Sequence, residues 1–342
     1  MPGRFLNMRG YRHLVACRHD TRPMDDVEPS LIGLGQLAAW GYNAERRRRA
    51  VAEGLLVRLR PGVFAIAEEW DAAPPERRIV ARARALTGTS VEPPTLSHET
   101  AAACHGVALY SPEAYRVHAI IRDARPGAAV GVIRHRGELT DDEIVTIAGL
   151  RLTSLVRTVA DMARTATFER AVTVADAALR CLFLSADNVY DSESAQTFCA
   201  SALEIARRSA HGLSRAERVL RFADGRAQLP GESVSRVRLA ELGFRAPRLQ
   251  VAVPAPGGRR YFLDFLFEDV LAIGEFDGRM KYVDGRLLVD RTADEVFELE
   301  KQREDWIRGV TGRTVVRWGW PHIASATTLA QRLAAFGVRP PS

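Results

Sequence analysis

Cysteine is scarce and scattered in this 342-residue chain. Cys17, Cys104, Cys181 and Cys199 form no Cys-x-x-Cys pair and no cysteine–histidine spacing typical of zinc ligands. Their spacing predicts neither a zinc module nor a set of disulfides, and it fits a reducing cytoplasm. No apolar run approaches the roughly 18 residues that a membrane-spanning helix requires. These absences predict a cytoplasmic protein with no membrane partner.

The first 23 residues also lack the apolar centre of a secretory signal peptide. They are basic and polar, and Met24, followed by two aspartates, resembles a translation start. We therefore expect residues 1–23 to be an upstream extension or a disordered arm.

Arginine is abundant and greatly outnumbers lysine. The chain has 48 Lys and Arg against 42 Asp and Glu, a formal net charge of +6. A basic balance suits a polyanionic partner, and the planar guanidinium suits phosphate. A high-GC genome favours arginine codons regardless of function, so arginine indicates nucleic acid only where it clusters. Hydrophobic content of 46% and a length sufficient for two or three domains are ordinary for a globular protein.

One arginine cluster lies in residues 24–70, for which we predict a winged helix-turn-helix. A short helix over residues 31–41 precedes a second helix that Asn43 would cap, and two short strands follow around Pro61-Gly62. The candidate DNA-contacting residues are the arginines of the second helix and of the wing: Arg46, Arg47, Arg48, Arg49, Arg58 and Arg60. Four consecutive helical residues spread around the whole helix, so at most two or three of them can meet DNA together.

Residues 71–190 read as a middle α/β module, with strand-like runs followed by one helix from Ser154 through Leu182. His98 and His105 share a helix face, but no third metal ligand is obvious, so we interpret them as buried or capping residues. Arg157 and Asp161 are four apart on a helix and are expected to pair. Residues 191–229 are predicted as a helical linker to a last domain at 230–342.

Acidic residues mark the ends of two β-like runs in residues 263–282. Asp264 begins the first run, and Glu275 and Asp277 end the second, so the segment reads as a hairpin. Glu275 and Asp277 share a strand face at period two, which allows the three carboxylates to converge.

Converging carboxylates repel one another, and a hard cation relieves that repulsion. Mg²⁺ or Mn²⁺ takes oxygen ligands and leaves coordination sites for phosphate and water. This is the chemistry of metal-assisted phosphodiester hydrolysis. Lys281, which follows at once, would position the water or hold developing charge. Acidic residues at strand ends and an Asp-Gly turn are also common solvated features.

The combined motif resembles a known domain over residues 230–325. Its residues are Glu232 on a likely upstream helix, the run Asp264 to Lys281, the segment Glu300 to Glu304, and a closing strand at 314–318. The motif is similar to the C-terminal domain of many actinobacterial proteins. That domain is a compact, DUF559-like relative of the very-short-patch-repair endonucleases within the PD-(D/E)XK nuclease superfamily.

The resemblance implies an α/β/α sandwich with Mg²⁺ or Mn²⁺ bound by Asp264, Glu275 and Asp277, and with Glu232 facing the metal. The superfamily places a lysine two residues after the glutamate, where this chain has Asp277. That departure leaves Lys281, and Lys301 on the next helix, as candidates for the lysine's role.

The rest of the chain resembles the AbiEi type of antitoxin. The pattern G-x-L-x-R-x-x-P-G-V-F covers residues 54–64. S-H-x-x-A-A-x-x-H-G and G-x-x-x-T-S-x-x-R-T-x-x-D cover residues 97–106 and 149–161. In this resemblance the middle segment is a structural module with no assigned chemistry.

Two functions follow as expectations for an α/β multidomain chain of this order: winged helix-turn-helix, α/β module, nuclease-like domain. The first is a Mg²⁺-dependent endonuclease that binds DNA through its winged helix, in repair, phage defence or a mobile element. The second is an AbiEi-like antitoxin or autorepressor, in which the nuclease-like domain docks DNA or a partner protein. Either function predicts a nucleoid-associated protein that binds DNA, with a toxin or a defence protein as the candidate protein partner. RNA is a third possible substrate, because the motifs do not distinguish the two polymers.

Overall fold

The computed structural model describes residues 28–121, 127–129, 131–278 and 293–341. Its internal contacts divide the chain into two units, Met1–Ala223 and Asp224–Ser342. The described residues form helices and three separate sheets, which confirms an α/β multidomain protein at that level. No helix within these ranges is both long and apolar enough to cross a lipid bilayer.

Two short helices and a small antiparallel sheet begin the first unit. They are β1 (Ile32–Gly33), α1 (Leu34–Ala39), α2 (Ala44–Ala52), β2 (Leu56–Arg60) and β3 (Val63–Ile66). Asn43 caps α2 by accepting a hydrogen bond from the backbone N–H of Arg46 at 2.8 Å. Gly62, at φ +83°, turns the chain between β2 and β3. The helices and the hairpin follow in the predicted order. Ile32–Gly33, predicted as helical, instead pairs with β3, because sheet hydrogen bonds satisfy its backbone.

A six-stranded mixed sheet and its helices make up the rest of the first unit. The elements are α3 (Ala67–Ala72), α4 (Pro75–Thr89), β4 (Thr95–Leu96), α5 (His98–Cys104), β5 (Val117–Ile120), β6 (Gly127–Ala129), β7 (Val132–His135), β8 (Ile144–Ile147), β9 (Leu150–Thr153), α6 (Leu155–Thr165), α7 (Phe168–Phe183), α8 (Ser192–Arg207) and α9 (Leu213–Phe222). The strand order is β6-β7-β5-β4-β9-β8. Helix α6 packs against α5, α7, α8 and α9.

The single helix predicted from Ser154 through Leu182 is wrong. The chain breaks between α6 and α7, where Ala166 and Thr167 have extended backbone angles. Thr167 stands at the N-cap position of α7, a site that threonine favours. Continuous helical propensity concealed this break.

The expected pair between Arg157 and Asp161 is confirmed, and it belongs to a larger buried network. Arg157 Nε lies 3.0 Å from both carboxylate oxygens of Asp161. Arg157 Nη1 donates to Glu143 Oε2 at 2.9 Å and to the Glu138 carbonyl at 2.8 Å. Arg157 therefore ties α6 to the segment between β7 and β8.

The cysteines differ from the expectation in one respect. Cys181 is disulfide-bonded, whereas the spacing predicted no disulfide. Cys104 and Cys199 are free thiols, and burial raises their pKa values to about 12 and about 11. Both thiols are therefore protonated at neutral pH and are poor nucleophiles.

His105 is a buried residue at the end of α5, as its position predicted. Its Nε2 lies 2.8 Å from the Thr153 carbonyl oxygen, which joins α5 to β9. Burial lowers the pKa of His105 to about 4, from an ordinary value near 6.5. The ring is therefore neutral at pH 7 and donates to that carbonyl.

We expect His105 to make the fold acid-sensitive. Because its pKa is depressed on folding, its contribution to stability is complete above pH 6.5 and is lost as the pH falls toward 4. At pH 5 the loss is about 2 kcal/mol. Chemical denaturation of the wild type and of His105→Gln between pH 7 and 5 measures this. The glutamine keeps a donor for Thr153 but cannot titrate in this range, so its stability should depend less on pH. An equal pH dependence in both proteins would contradict the prediction.

The second unit is a four-stranded sheet with helices. Its elements are α10 (Pro230–Glu241), β10 (Arg248–Pro254), β11 (Arg260–Phe267), β12 (Ala272–Phe276), α11 (Ala293–Thr311), β13 (Thr314–Trp318) and α12 (Ala326–Ala334). The order is β10-β11-β12-β13, with the first three strands antiparallel and β13 parallel to β12. The predicted hairpin, over residues 263–282, is confirmed as β11 and β12 within the described residues, which end at 278. Ile307 of α11 packs with Leu263, Ile273 and Val315 on the sheet.

Candidate functional site

Three polar side chains stand at one level across the second-unit sheet. The β10–β11 ladder pairs the neighbours of Gln250 with the neighbours of Asp264, so these two residues are opposite each other. The β11–β12 ladder pairs Phe265 with Gly274, and one further step places Asp264 opposite Glu275. Adjacent strands lie about 4.8 Å apart, so the three side chains are near neighbours.

A fourth side chain reaches this row from α10. Gln250 Nε2 lies 3.4 Å from Glu232 Oε2 and 3.4 Å from Asp264 Oδ1. Glu232 and Asp264 are only 1% and 4% exposed, so one amide bridges two buried carboxylates. Gln250 itself has φ +49°, a left-handed conformation that is strained for a non-glycine residue. Such strain often marks a functional position.

Glu232 reaches the row because a glycine lets α10 approach the end of β12. A Cβ atom on Gly231 would lie 2.0 Å from the ring of Phe276. Only glycine fits there, so the first turn of α10 lies against β12. Glu232 lies in that first turn, as predicted, and its Oε2 accepts a hydrogen bond from the Gln228 N–H at 2.8 Å.

Asp264 is held at one oxygen by the backbone. The Phe276 N–H donates to Asp264 Oδ2 at 2.8 Å. Its other oxygen, Oδ1, is the one turned toward Gln250. The backbone bond therefore sets the orientation of the carboxylate.

Glu275 has an arginine as its cationic neighbour. The Nη1 atom of Arg303, on α11, lies 3.2 Å from Glu275 Oε2. The Nη2 atom of Arg303 donates a hydrogen bond to the Phe262 carbonyl at 2.9 Å. Burial lowers the pKa of Arg303, but Glu275, Glu300 and Asp264 outweigh burial and raise it. Arg303 therefore stays charged beside two of the predicted ligands.

The sequence did not single out Gln250 as a bridge or Arg303 as a partner of Glu275. The only available signal for Arg303 was its spacing of three residues from Glu300, with which it also pairs at 3.4 Å. Glu300 in turn contacts Arg317 of β13.

The other three predicted site residues, Asp277, Lys281 and Lys301, are not among the described residues of this row. Asp277 is half-buried just after β12, where its N–H donates to the Trp318 carbonyl at 2.7 Å. Its carboxylate makes no hydrogen bond within the described ranges. Lys281 lies outside the described residues. Lys301 is exposed on α11 and forms no ion pair with any described residue. The row of Glu232, Gln250, Asp264 and Glu275 is therefore formed without a described lysine.

The donor atoms in this row suit a hard cation. All three carboxylates are buried, and Glu275 is 5% exposed. Arg303 is one cationic partner of Glu275. Clustered carboxylate oxygen donors of this kind fit Mg²⁺ or Mn²⁺.

The six candidate DNA-contacting arginines divide into two groups. Arg46 and Arg47 turn back to the carbonyls of Gly41 and Tyr42, at 3.0 Å and 3.1 Å. Arg49 lies 3.7 Å from Glu45, one helical turn earlier. The other group is Arg48, Arg58 and Arg60, which form no ion pair with any described residue. Arg48 and Arg58 are exposed, and Arg60 is half-buried.

Comparison with family models gives no match. Two curated proteins are similar to this chain, both from Mycobacterium tuberculosis: uncharacterized protein MT2308 of strain CDC 1551 / Oshkosh and uncharacterized protein Rv2248 of strain ATCC 25618 / H37Rv. Each is 27% identical over 178 residues, which is 52% of this chain and 60% of the relative. The chain thus spans less than two thirds of the length of either relative.

Proposed function

We propose that this protein is a Mg²⁺- or Mn²⁺-dependent endonuclease that hydrolyses phosphodiester bonds in DNA. The observation that carries the proposal is the Gln250 amide, which lies 3.4 Å from both Glu232 and Asp264 beside Glu275. Carboxylates buried together on adjacent strands are costly to desolvate, and a cation bound between them offsets that cost. The resemblance to the PD-(D/E)XK nucleases also supports a metal-dependent nuclease.

The side chains in and beside the row have different roles in this proposal. Asp264 and Glu275 hold the metal ion, with Asp277 as a third ligand or an orienting group. The bound ion would lower the pKa of water and neutralise charge on the phosphate. Gln250 keeps Glu232 and Asp264 at a fixed separation. Arg303 orients the Glu275 carboxylate and offsets part of the charge that builds up at the phosphate.

In this proposal DNA affinity comes from the N-terminal helices and hairpin acting as a winged helix. Arg48 on α2 and Arg58 on β2 are the exposed candidates whose charges are not offset by a described carboxylate. Arg46 and Arg47 instead support the start of α2 through their carbonyl contacts.

Arg48→Ala and Arg58→Ala are each expected to weaken DNA binding with little dependence on sequence. Removing one phosphate contact should reduce the slope of log affinity against log salt by about 1. Fluorescence anisotropy with a labelled duplex over a range of salt concentrations measures the slope. Arg207→Ala, on α8 and paired with Glu204, is the matched control and should leave it unchanged. Slopes equal to wild type in both test variants would contradict the assignment.

A second function, a non-catalytic antitoxin or autorepressor, is favoured by the Arg303 contact. A guanidinium that already neutralises Glu275 can serve a purely structural role, and no described lysine joins the row. In this alternative the second unit docks DNA or a partner toxin.

Cleavage assays separate the two functions. Supercoiled, linear and mismatched DNA, and RNA, are incubated with the full chain in Mg²⁺, Mn²⁺ or EDTA. The nuclease proposal expects cutting of DNA that requires the metal. If no substrate is cut while salt-sensitive DNA binding persists, the nuclease proposal is wrong and the regulator remains. Metal-dependent cutting of RNA alone would change the substrate class.

A further inference from the structure

Three histidines from separate elements of the first unit meet at one place. His98 is the first residue of α5, His118 lies in β5, and His135 ends β7. One ring nitrogen from each lies within 4.8 Å of the other two. The sequence did not reveal this cluster, because it paired His98 with His105 and found no third ligand.

Strand register and one backbone bond bring the three together. The parallel β5–β7 ladder pairs Ile120 with His135, so His118, two residues earlier, is on the same face and diagonal to it. The Ser97 N–H donates to the His118 carbonyl at 3.0 Å, which holds the start of α5 against β5. His98 has φ +51°, a strained conformation for a residue with a side chain.

The rings contact one another directly. His118 Nδ1 lies 2.9 Å from His135 Nε2, and the rings of His98 and His135 stack with their centroids 3.6 Å apart. His98 Nδ1 lies 3.0 Å from the Ser97 hydroxyl. His118 Nε2 is buried and has no hydrogen-bond partner.

The three rings present lone pairs at neutral pH. Burial lowers the pKa of His98 well below its ordinary range, that of His118 to about 3, and that of His135 to about 4. Neutral imidazole is the form that binds metal. His118 and His135 are half-buried, so solvent reaches the cluster.

Carboxylates neutralise part of the nearby positive charge. Arg157 is held by Glu143 and Asp161, at 2.9 Å and 3.0 Å. Arg170 contacts Glu99 and lies 3.5 Å from Glu113. Arg116 and Arg164 also act on the histidines: Arg116 lies 4.0 Å from Glu113, and Arg164 donates to the His211 carbonyl at 3.0 Å.

We propose that His98, His118 and His135 bind one Zn²⁺ ion through three imidazole nitrogens. Tetrahedral zinc with Zn–N bonds of about 2.0–2.1 Å sets its nitrogen ligands about 3.3–3.4 Å apart. The 2.9 Å between His118 Nδ1 and His135 Nε2 is close to that value, and one ring nitrogen of His98 lies within 4.8 Å of one on each of the other two rings. Three imidazoles leave a fourth position for water or an external ligand, the arrangement of an exchangeable zinc site.

Zinc binding to the tag-free, full-length chain tests the proposal. A chromophoric chelator competes for zinc in excess Mg²⁺, which occupies any site built only of carboxylates. One equivalent of zinc is expected, and Co²⁺ in its place should give the visible bands of four-coordinate cobalt with nitrogen ligands. His118→Gln and His135→Gln should each bind zinc at least about 100-fold more weakly, because losing a ligand exceeds the effect of losing its supporting contacts.

His211→Gln is the matched control, since His211 is an exposed histidine of the same unit and outside the cluster. It should bind zinc as the wild type does. Circular dichroism checks that each variant folds, and the cobalt spectrum of the wild type tests the site independently of any variant. The proposal is overturned if the wild type binds no stoichiometric zinc, or if His135→Gln binds it as tightly as the wild type.

Discussion

Asp264→Asn is expected to slow metal-dependent DNA cleavage by about 10³-fold while leaving DNA binding intact. The substitution removes a negative charge from the row but keeps the shape of the side chain. Asparagine retains a carbonyl oxygen for the Phe276 N–H, so the end of β12 should keep its position. A lost metal ligand is worth several kcal/mol of transition-state stabilisation, and about 4 kcal/mol corresponds to about 10³ in rate.

The comparison requires single-turnover cleavage rates with enzyme in excess over labelled DNA. Asp269→Asn is the matched control, because Asp269 is an exposed aspartate in the turn of the same hairpin. Its rate should equal that of the wild type. Increasing Mn²⁺ should recover part of the Asp264→Asn rate if the defect is in metal affinity. Cleavage by Asp264→Asn at the wild-type rate would remove Asp264 from the proposed site.

Arg157→Met is expected to lower the free energy of unfolding of the first unit by about 3–5 kcal/mol. Arg157 is only 7% exposed at its side chain, and its two carboxylate partners, Glu143 and Asp161, are 0% and 5% exposed. Methionine fills much of the same volume but leaves both carboxylates without this guanidinium. Glu143 keeps Arg208, at 2.8 Å, so the loss of the guanidinium bonded to buried Asp161, rather than lost packing, is the main source of the effect.

Urea denaturation, followed by a probe in the first unit, measures this loss. Two units need not unfold in one step, so the transitions must be separated before free energies are compared. Arg207→Met is the control, because its pair with Glu204 is on an exposed helix surface and should contribute less than about 1 kcal/mol. Equal losses in the two variants would show that burial of the Arg157 network does not matter.

Local features of the fold were predictable from the sequence alone. Asn43 caps α2, Pro61-Gly62 turns the β-hairpin, and Glu232 lies in the first turn of α10, all as expected. These features depend on interactions within about four residues, so a short stretch of sequence contains the groups that form them. The one long-helix prediction that failed, across Ala166, did so because helical composition conceals a break.

Tertiary structure alone decided which side chains share a site. Gln250 meets Glu232 and Asp264 because strand register and the close approach of α10 at Gly231 bring them together. Arg303, rather than a lysine, reaches Glu275 from 28 residues away.

Tertiary structure also decided which histidines form the cluster. His118 and His135 are 17 residues apart and meet through the parallel pairing of β5 with β7, a register that no local pattern encodes. The sequence thus determined the capped helices, the hairpins and the acidic residues available for a site, because these follow from neighbouring residues. Only the folded chain determined the partners of those residues, because contacts between distant segments depend on how whole strands and helices pack.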